Sequence, residues 1–223
     1  TLITHPNVVN AADMNEMTEN TLYVEGSLIS RLLMGTIGLQ KVKGNRVLLL
    51  MDKHRQKAFN EGAINMVSTA RVCLGMHCDV VQMDDIAECV PSYTKAGKAS
   101  GEIREVERIF DTLAAYKQHY DAFALTTHVE VPPEMEESYY TSQGGVNPWG
   151  GIEAMLTHSL ALAFDVPCAH SPMSISLEVS NHTFEKLGVV EPRKASETFS
   201  RTYLYSILKG LHRAPRVVQN GGL

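Results

Sequence analysis

Short apolar runs alternate along this chain with longer segments in which apolar residues recur at helical spacing. The apolar runs are Leu2–Ile3, Leu22–Val24, Val47–Met51, Val80–Met83, Phe123–Leu125 and Val166–Cys168. The segments with helical spacing are Ser27–Met34, Ala58–Leu74, Gly101–Tyr120, Gly151–Phe164 and Ser196–His212. When strands alternate with helices, each helix returns the chain to the edge where the next strand starts, so the strands are parallel. The pattern therefore predicts a layered α/β fold with a mostly parallel sheet flanked by helices.

The length and composition of the chain fit one globular domain. It has 223 residues, of which 44% are hydrophobic and 20% charged, as in ordinary globular domains. No internal repeat or linker divides the sequence, so we predict a single α/β domain over residues 1–223. The expected loops are Pro91–Ser100, Val131–Pro148 and Asn181–Arg193. The second is long enough for a lid or a binding loop.

Charge and cysteine usage exclude several classes of partner. The net charge of −5 and the lack of a Lys/Arg run argue against nucleic acid or an anionic membrane. No apolar run approaches the roughly 18 residues of a membrane-spanning helix.

The four cysteines form no CxxC pair, which favours reduced thiols in the cytoplasm or the plastid stroma. We expect a homo-oligomer that binds a small polar metabolite.

Polar residues follow each of the apolar runs. They are His5 and Asn7, Glu25, Asp52 and His54, Asp84 and Asp85, His128, and His170. Ligands of open α/β sheets bind outside the carboxyl ends of the strands, so we expect these residues to gather on one rim. Histidines and carboxylates are the groups that proton transfer and metal binding require.

The stretch GGVNPWGGIEAMLTH, residues 144–158, is a glycine-rich loop that opens a helix. Asn147 suits the N-cap and Pro148 the first helical position. The free N–H groups of such a helix start could hold an anion or a carbonyl oxygen, with Gly144, Gly145, Gly150 and Gly151 allowing close approach. The alternative is that Gly144-Gly145 forms a turn and Gly150-Gly151 only permits close helix packing.

Thr1 is the first candidate nucleophile, since the chain begins TLITHPN, directly ahead of an apolar run. This start resembles the nucleophile subunit of N-terminal nucleophile hydrolases, which arises by self-cleavage of a precursor. There the threonine hydroxyl attacks a carbonyl and its own α-amino group accepts the proton. Methionine removal or a trimmed chain would produce the same start, and the βα pattern differs from the stacked antiparallel sheets of that fold.

Cys168 is a second candidate nucleophile. His170 follows two residues later, on the same face of a strand, and a nearby imidazolium lowers the pKa of a thiol. A buried structural cysteine is the alternative. A third possibility is a metal bound by His5, Asp52, His54, His128 and His170, although no local spacing such as HExxH supports it.

Four segments resemble a family of bacteria, cyanobacteria and plastids known as domain-of-unknown-function family 3326. They are THPNVVNAAD, LYVEGSLISRLLMG, GGVNPWGGIEAM and VPCAHSPM, and the resemblance runs through nearly all of the chain. It implies no particular activity. Members of the family are longer ahead of Thr1, so the resemblance implies that this chain is the carboxyl-terminal part of a precursor. An amino-terminal fragment of that precursor is then an expected partner.

Three functions are compatible with the sequence, and an enzyme is favoured because several strand ends carry titratable groups. The first is hydrolysis of an amide or related C–N bond without a cofactor, by Thr1 or Cys168 with the glycine loop as cradle. The second is a metal-dependent lyase, hydrolase or isomerase, and the third is a non-catalytic metabolite-binding subunit. The expected catalytic residues are Thr1, His5, His128, Cys168 and His170, and the expected substrate-binding residues are Asn7, Glu25, Gly144, Gly145, Asn147, Gly150 and Gly151.

Overall fold

The computed structural model describes residues 2–5, 14, 17–84 and 87–219, and the backbone alone of residues 182–184. The strands are β1 (Leu2–Thr4), β2 (Thr21–Tyr23), β3 (Ile37–Gln40), β4 (Arg46–Met51), β5 (His77–Gln82), β6 (Glu88–Tyr93), β7 (Ala99–Arg104), β8 (Ala122–His128), β9 (Cys168–Met173) and β10 (Arg216–Gln219). The helices are α1 (Gly26–Leu33), α2 (Lys57–Leu74), α3 (Val106–Tyr116), α4 (Pro133–Thr141), α5 (Gly150–Phe164), α6 (Leu177–Leu187), α7 (Pro192–Ala195) and α8 (Ser200–His212).

The described residues contain a parallel four-stranded sheet with the order β5-β4-β8-β9. Strand β4 pairs with β5 on one side and with β8 on the other, so that Leu49 lies between Val80 and Ala124. Strand β9 continues the sheet beyond β8. The expected α/β fold with a mostly parallel sheet flanked by helices is confirmed.

Both faces of this sheet are covered by helices. Val47, Leu49 and Met51 pack on one face with residues of α2 and α8. Leu48 and Leu50 pack on the other face with residues of α3 and α5. Successive strand residues point to opposite faces, so a strand covered on both sides is a continuous apolar run rather than an alternating one. None of the described helices is long and apolar enough to cross a membrane.

Several strands lie outside the central sheet. Strands β1 and β2 form a parallel pair of their own, β3 pairs with β10, and β6 pairs with β7 as an antiparallel hairpin. The expected helix Gly101–Tyr120 is wrong in its first part, since residues 99–104 form β7 and α3 starts at Val106. Exposed ion pairs of Arg104 with Glu88 and Glu102 line this hairpin, so it lacks the apolar run that would have marked it as a strand.

The expected loops contain regular structure. Residues 91–100 belong largely to the β6–β7 hairpin, α4 lies within residues 131–148, and α6 extends into residues 181–193. The strand expected at Val166–Cys168 begins at Cys168 and continues to Met173.

Helix α5 starts at Gly150, two residues later than the expected first position Pro148. Asn147 accepts a hydrogen bond from the Trp149 N–H through its side chain (2.9 Å) and one from the Gly150 N–H through its carbonyl (3.2 Å). Gly151 lies against the backbone of β7, where an added Cβ would come 2.4 Å from Ser100 N. The absence of a side chain at Gly151 thus allows helix α5 to pack on the hairpin.

The two neighbouring glycines should respond differently to alanine. Gly151→Ala should lower the free energy of unfolding by about 1–3 kcal/mol, because its Cβ would overlap backbone atoms that cannot move away easily. Gly150→Ala is the matched control, since its Cβ would meet only Asn147 Cβ at 3.8 Å. Urea unfolding of both variants measures the difference, and equal effects at the two positions would contradict this packing.

Candidate functional site

The central sheet has a topological switch point between β4 and β8. From β4 the chain crosses through α2 to β5 on one side, and later enters β8 on the other side. Ligands of such sheets bind in the crevice that this reversal leaves at the carboxyl ends of the strands. Asp52 directly follows β4, and His128 is the last residue of β8. The two elements therefore bring two of the expected polar residues to the crevice.

Asp52 is a fully buried carboxyl group that joins three parts of the chain. Its Oδ2 accepts a hydrogen bond from the His128 N–H (2.9 Å), and its Oδ1 accepts one from the Ala87 N–H (3.5 Å). Burial raises the pKa of Asp52 to about 7, although these two N–H donors act in the opposite direction. The group therefore titrates near neutral pH.

His54 is held in a fixed orientation beside this carboxyl group. Its Nδ1 lies 2.9 Å from the Gln56 N–H donor, and its Nε2 lies 2.9 Å from the Ser174 carbonyl oxygen. Backbone groups of Gln56 and Ser174 thus fix the orientation of the ring from both sides. The ring centroids of His54 and His128 are 5.6 Å apart.

His128 is the half-buried imidazole of the crevice. Burial lowers its pKa below the usual 6.5, and the neighbouring His54 and Arg55 lower it further, against the opposite effect of Glu130. The ring is therefore neutral at pH 7 and can accept a proton.

A cavity of about 480 Å³ opens in front of His128, within the range of small-molecule sites. Its lining residues are His54, Arg55, Glu88, Glu105, His128, Glu130 and Ile175. Glu105 has a left-handed backbone (φ 57°), which is uncommon outside glycine. Charges of both signs line the cavity, so it suits a small polar ligand that itself carries both.

His170 lies in a buried polar network behind the crevice. Its Nε2 is 2.8 Å from Thr127 Oγ1, and its Nδ1 is 3.7 Å from Glu153 Oε1. The Tyr203 hydroxyl donates to the same Glu153 oxygen at 2.9 Å. Glu153 and Tyr203 were missed by the sequence analysis, because each lies within a helical pattern that gives no sign of a polar partner across the core.

Cys168 is buried, and its thiol lies 3.4 Å from the Val166 carbonyl oxygen as a donor. Burial raises the pKa of Cys168 well above its usual range, and the charge of Glu25 adds to this. Both effects oppose a thiolate, so the geometry favours the structural role over the nucleophile. The other candidate nucleophile, Thr1, and the candidate binding residue Asn7 lie outside the described residues.

His5 and Glu25 are not at the crevice. They follow β1 and β2, which form a separate sheet, and they meet His158 of helix α5 there. Asp52, His54 and His128 therefore lie together as expected, whereas His5, Glu25 and His170 do not, since His170 lies inside β9 in the buried network. No local signal marked His158, which is brought to His5 and Glu25 only by helix packing.

The glycine-rich loop turns around a buried lysine. Gly144 and Gly145 have positive φ angles, as expected for a turn. The Lys194 ammonium donates to the carbonyl oxygens of Tyr139 (2.7 Å), Ser142 (2.8 Å) and Gly144 (2.6 Å). These carbonyl oxygens thus bind the ammonium group of Lys194, which belongs to the same chain. Gly151 faces β7.

The expected metal ligands are not brought together. Of the histidines, cysteines and carboxylates that the structure describes, His5, Glu25 and His158 place donor atoms within 4.8 Å of one another. Asp52, His54, His128 and His170 form no such group among these residues. Only His5 of the expected set lies where a metal could be held.

Known proteins resemble the chain along nearly its whole length. The model of a family described as "Protein of unknown function (DUF3326)" matches residues 1–222. An "Uncharacterized lipoprotein" of Synechococcus sp. is 31% identical over 222 residues, which cover 96% of this chain and 59% of that protein. The chain thus spans about three-fifths of the length of the curated relative that it matches. No solved structure matches it.

The buried carboxyl group of Asp52 should make stability depend on pH. Between pH 3.8 and about 7 the native state binds more protons than the unfolded state at this group. The free energy of unfolding therefore falls as pH rises through this window. Asparagine has nearly the same shape as aspartate and does not titrate. As pH rises through this window, the free energy of unfolding of the wild type should therefore fall by up to about 4 kcal/mol relative to that of Asp52→Asn, at 1.36 kcal/mol per pKa unit.

Urea unfolding of both proteins at several pH values between 4 and 8 measures this difference. Titration of His128 is common to both proteins and largely cancels in the comparison. A wild type that gains stability over Asp52→Asn as pH rises would instead indicate a carboxylate stabilised in its ionised form.

Proposed function

The chain belongs to the DUF3326 family, and we propose that it is an enzyme that transfers protons on a small polar metabolite, with His128 as its acid–base group. The observation that carries the proposal is the position of His128. It ends a strand at the switch point of a parallel sheet, faces a ligand-sized cavity, and is bonded through its backbone to the buried Asp52.

The environment of His128 suits a general base. A base is most effective when its pKa lies close to the working pH, and a neutral imidazole at pH 7 is ready to take a proton. The His128 backbone is held by Asp52, and the neighbouring His54 is held by Gln56 and Ser174. Asp52 is therefore a positioning residue, whereas the His128 ring lines the cavity together with His54.

Hydrolysis of an amide or related C–N bond is the reaction class that we favour. In this reaction His128 accepts a proton from water as the oxygen attacks the carbonyl carbon, and returns a proton to the leaving nitrogen. Arg55 offers a cation for a substrate carboxylate, and Glu130 offers a carboxylate for a substrate amine. These groups support a substrate with amino-acid-like charges, such as an N-acyl amino acid or a small peptide-like amide.

The location of the protein in the cell is also part of the proposal. The relative from Synechococcus sp. carries the name lipoprotein. In this chain Cys73, Cys78, Cys89 and Cys168 are free thiols, which favours the reducing cytoplasm or plastid stroma. A tagged full-length protein that sediments with membranes would contradict this compartment.

His128→Gln should abolish most of the activity. Loss of a general base lowers kcat by roughly 10²- to 10⁴-fold, with a smaller effect on KM. Release of amine from a panel of small amides and N-acyl amino acids measures it. His77→Gln is the matched control, because His77 is exposed on β5 and should keep full activity.

Activity should also decrease at acidic pH because His128 becomes protonated. The ring acts as a base only when it is deprotonated, so kcat/KM should fall as pH decreases through its lowered pKa, below 6.5. The pH–rate profile and the imidazole NMR titration should give the same midpoint. A His128→Gln enzyme with unchanged turnover, or a wild type that binds these compounds without turnover, would contradict the enzymatic proposal and favour a binding subunit.

A further inference from the structure

A second polar cluster lies away from the crevice, where β1, β2 and helix α5 meet. Thr4 pairs with Tyr23, and the Val24 N–H donates to the Thr4 carbonyl at 2.8 Å, so the chain segments that follow the two strands stay side by side. His5 follows one strand and Glu25 the other. Helix α5 supplies His158, 133 residues further along the chain than Glu25.

The two carboxylate oxygens of Glu25 have different partners. Glu25 is the N-cap of α1, where Oε2 accepts the Ser27 N–H (2.7 Å) and the Ser27 hydroxyl. This oxygen is therefore used by the helix end. The other oxygen, Oε1, points toward the two imidazoles.

Two imidazole nitrogens converge on that second oxygen. His5 Nε2 lies 3.6 Å from Glu25 Oε1, and His158 Nδ1 contacts the same oxygen. The two imidazole rings are 5.5 Å apart and nearly perpendicular, at 78°. All three donor atoms lie within 4.8 Å of one another, a separation that one ion can bridge.

Burial of the Glu25 carboxylate is unfavourable unless a cation compensates its charge. The Glu25 side chain is 0% exposed, and its Oε1 and His158 Nδ1, which contact each other, make no hydrogen bond of regular geometry among the described residues. A buried ionised carboxylate needs a compensating positive charge.

Gly26 leaves the space in which the rings sit. A Cβ at Gly26 would come 2.4 Å from His5 Cδ2 and Nε2, and 3.0 Å from His158 Cε1. The His158 side chain is 42% exposed and that of His5 is 16% exposed. The donor atoms Glu25 Oε1 and His158 Nδ1 are themselves buried, so the exposed part of His158 lies away from the cluster.

We propose that His5 Nε2, Glu25 Oε1 and His158 Nδ1 bind one divalent transition-metal ion such as Zn²⁺ or Fe²⁺. Two imidazoles and one carboxylate suit these ions, whereas Mg²⁺ and Ca²⁺ prefer oxygen ligands. Three protein ligands leave coordination positions free for water or a small ligand. This centre lies apart from the His128 crevice and does not depend on the proposed hydrolase activity.

Metal titration of the chelator-treated, folded protein tests the centre. Co²⁺ is a spectroscopic substitute for Zn²⁺, and one equivalent should produce visible absorption bands that Zn²⁺ removes and millimolar Mg²⁺ does not. Protons compete for the imidazoles, so the affinity should fall as pH decreases. Absence of Co²⁺ bands, together with no heat of Zn²⁺ binding, would overturn the proposal and leave a buried histidine–carboxylate cluster.

Variants of the ligands separate a metal site from a structural ion pair. His158→Ala and Glu25→Gln should each weaken Zn²⁺ and Co²⁺ binding by more than about 100-fold, since loss of outer-shell partners alone costs 10- to 100-fold. His158 is partly exposed, so its alanine variant should fold even if Glu25→Gln does not, and circular dichroism checks both. His77→Ala is the control and should bind as the wild type does. Unchanged binding by His158→Ala would overturn the assignment.

Gly26→Ala tests the geometry without removing a donor atom. Alanine is compatible with the start of α1, but its Cβ would displace the His5 ring. We expect at least a 10-fold loss of Co²⁺ affinity and altered absorption bands in a protein that remains folded. Binding and spectrum equal to the wild type would contradict a site that includes His5.

Discussion

Strand β4 is the element on which the rest of the described structure depends. It pairs with a strand on each side and is covered by helices on both faces, so Val47 to Met51 are at most 1% exposed. A backbone buried in this way satisfies its N–H and C=O groups only through two neighbouring strands. That requirement places β5 and β8 at its sides, and with them the switch point at which Asp52 and His128 meet.

Two buried carboxyl groups illustrate how environment decides their chemistry. Asp52 accepts from two backbone N–H groups, but the effect of burial is larger and its pKa is raised. Glu25 is equally buried but faces two imidazoles and a helix start, so its pKa is lowered. Carboxyl groups whose pKa values are shifted in opposite directions by their surroundings are typical of functional sites. The first is suited to support proton transfer, and the second is suited to bind a cation.

Polar contacts connect several elements of the described structure to β9. His5 and Glu25 lie beside His158, while Glu153 and His170 form a buried network with Tyr203 of α8. The charge of Glu25 also acts on Cys168, the first residue of β9. These contacts join the β1–β2 pair, helix α5 and helix α8 to the edge of the central sheet. A polar network of this kind fixes the relative positions of the elements, because each buried group needs its partner.

The sequence by itself determined the α/β class, the core strands, the main helices and the presence of Asp52, His54 and His128 at strand ends. These features follow from hydrophobic spacing, which is local along the chain. The tertiary structure decided that β1 and β2 leave the central sheet, that the glycine loop surrounds Lys194, that Gly151 serves packing against β7, and that His158 joins His5 and Glu25. Each of these depends on contacts between residues far apart in sequence, and local periodicity carries no information about which helix face packs against which distant strand.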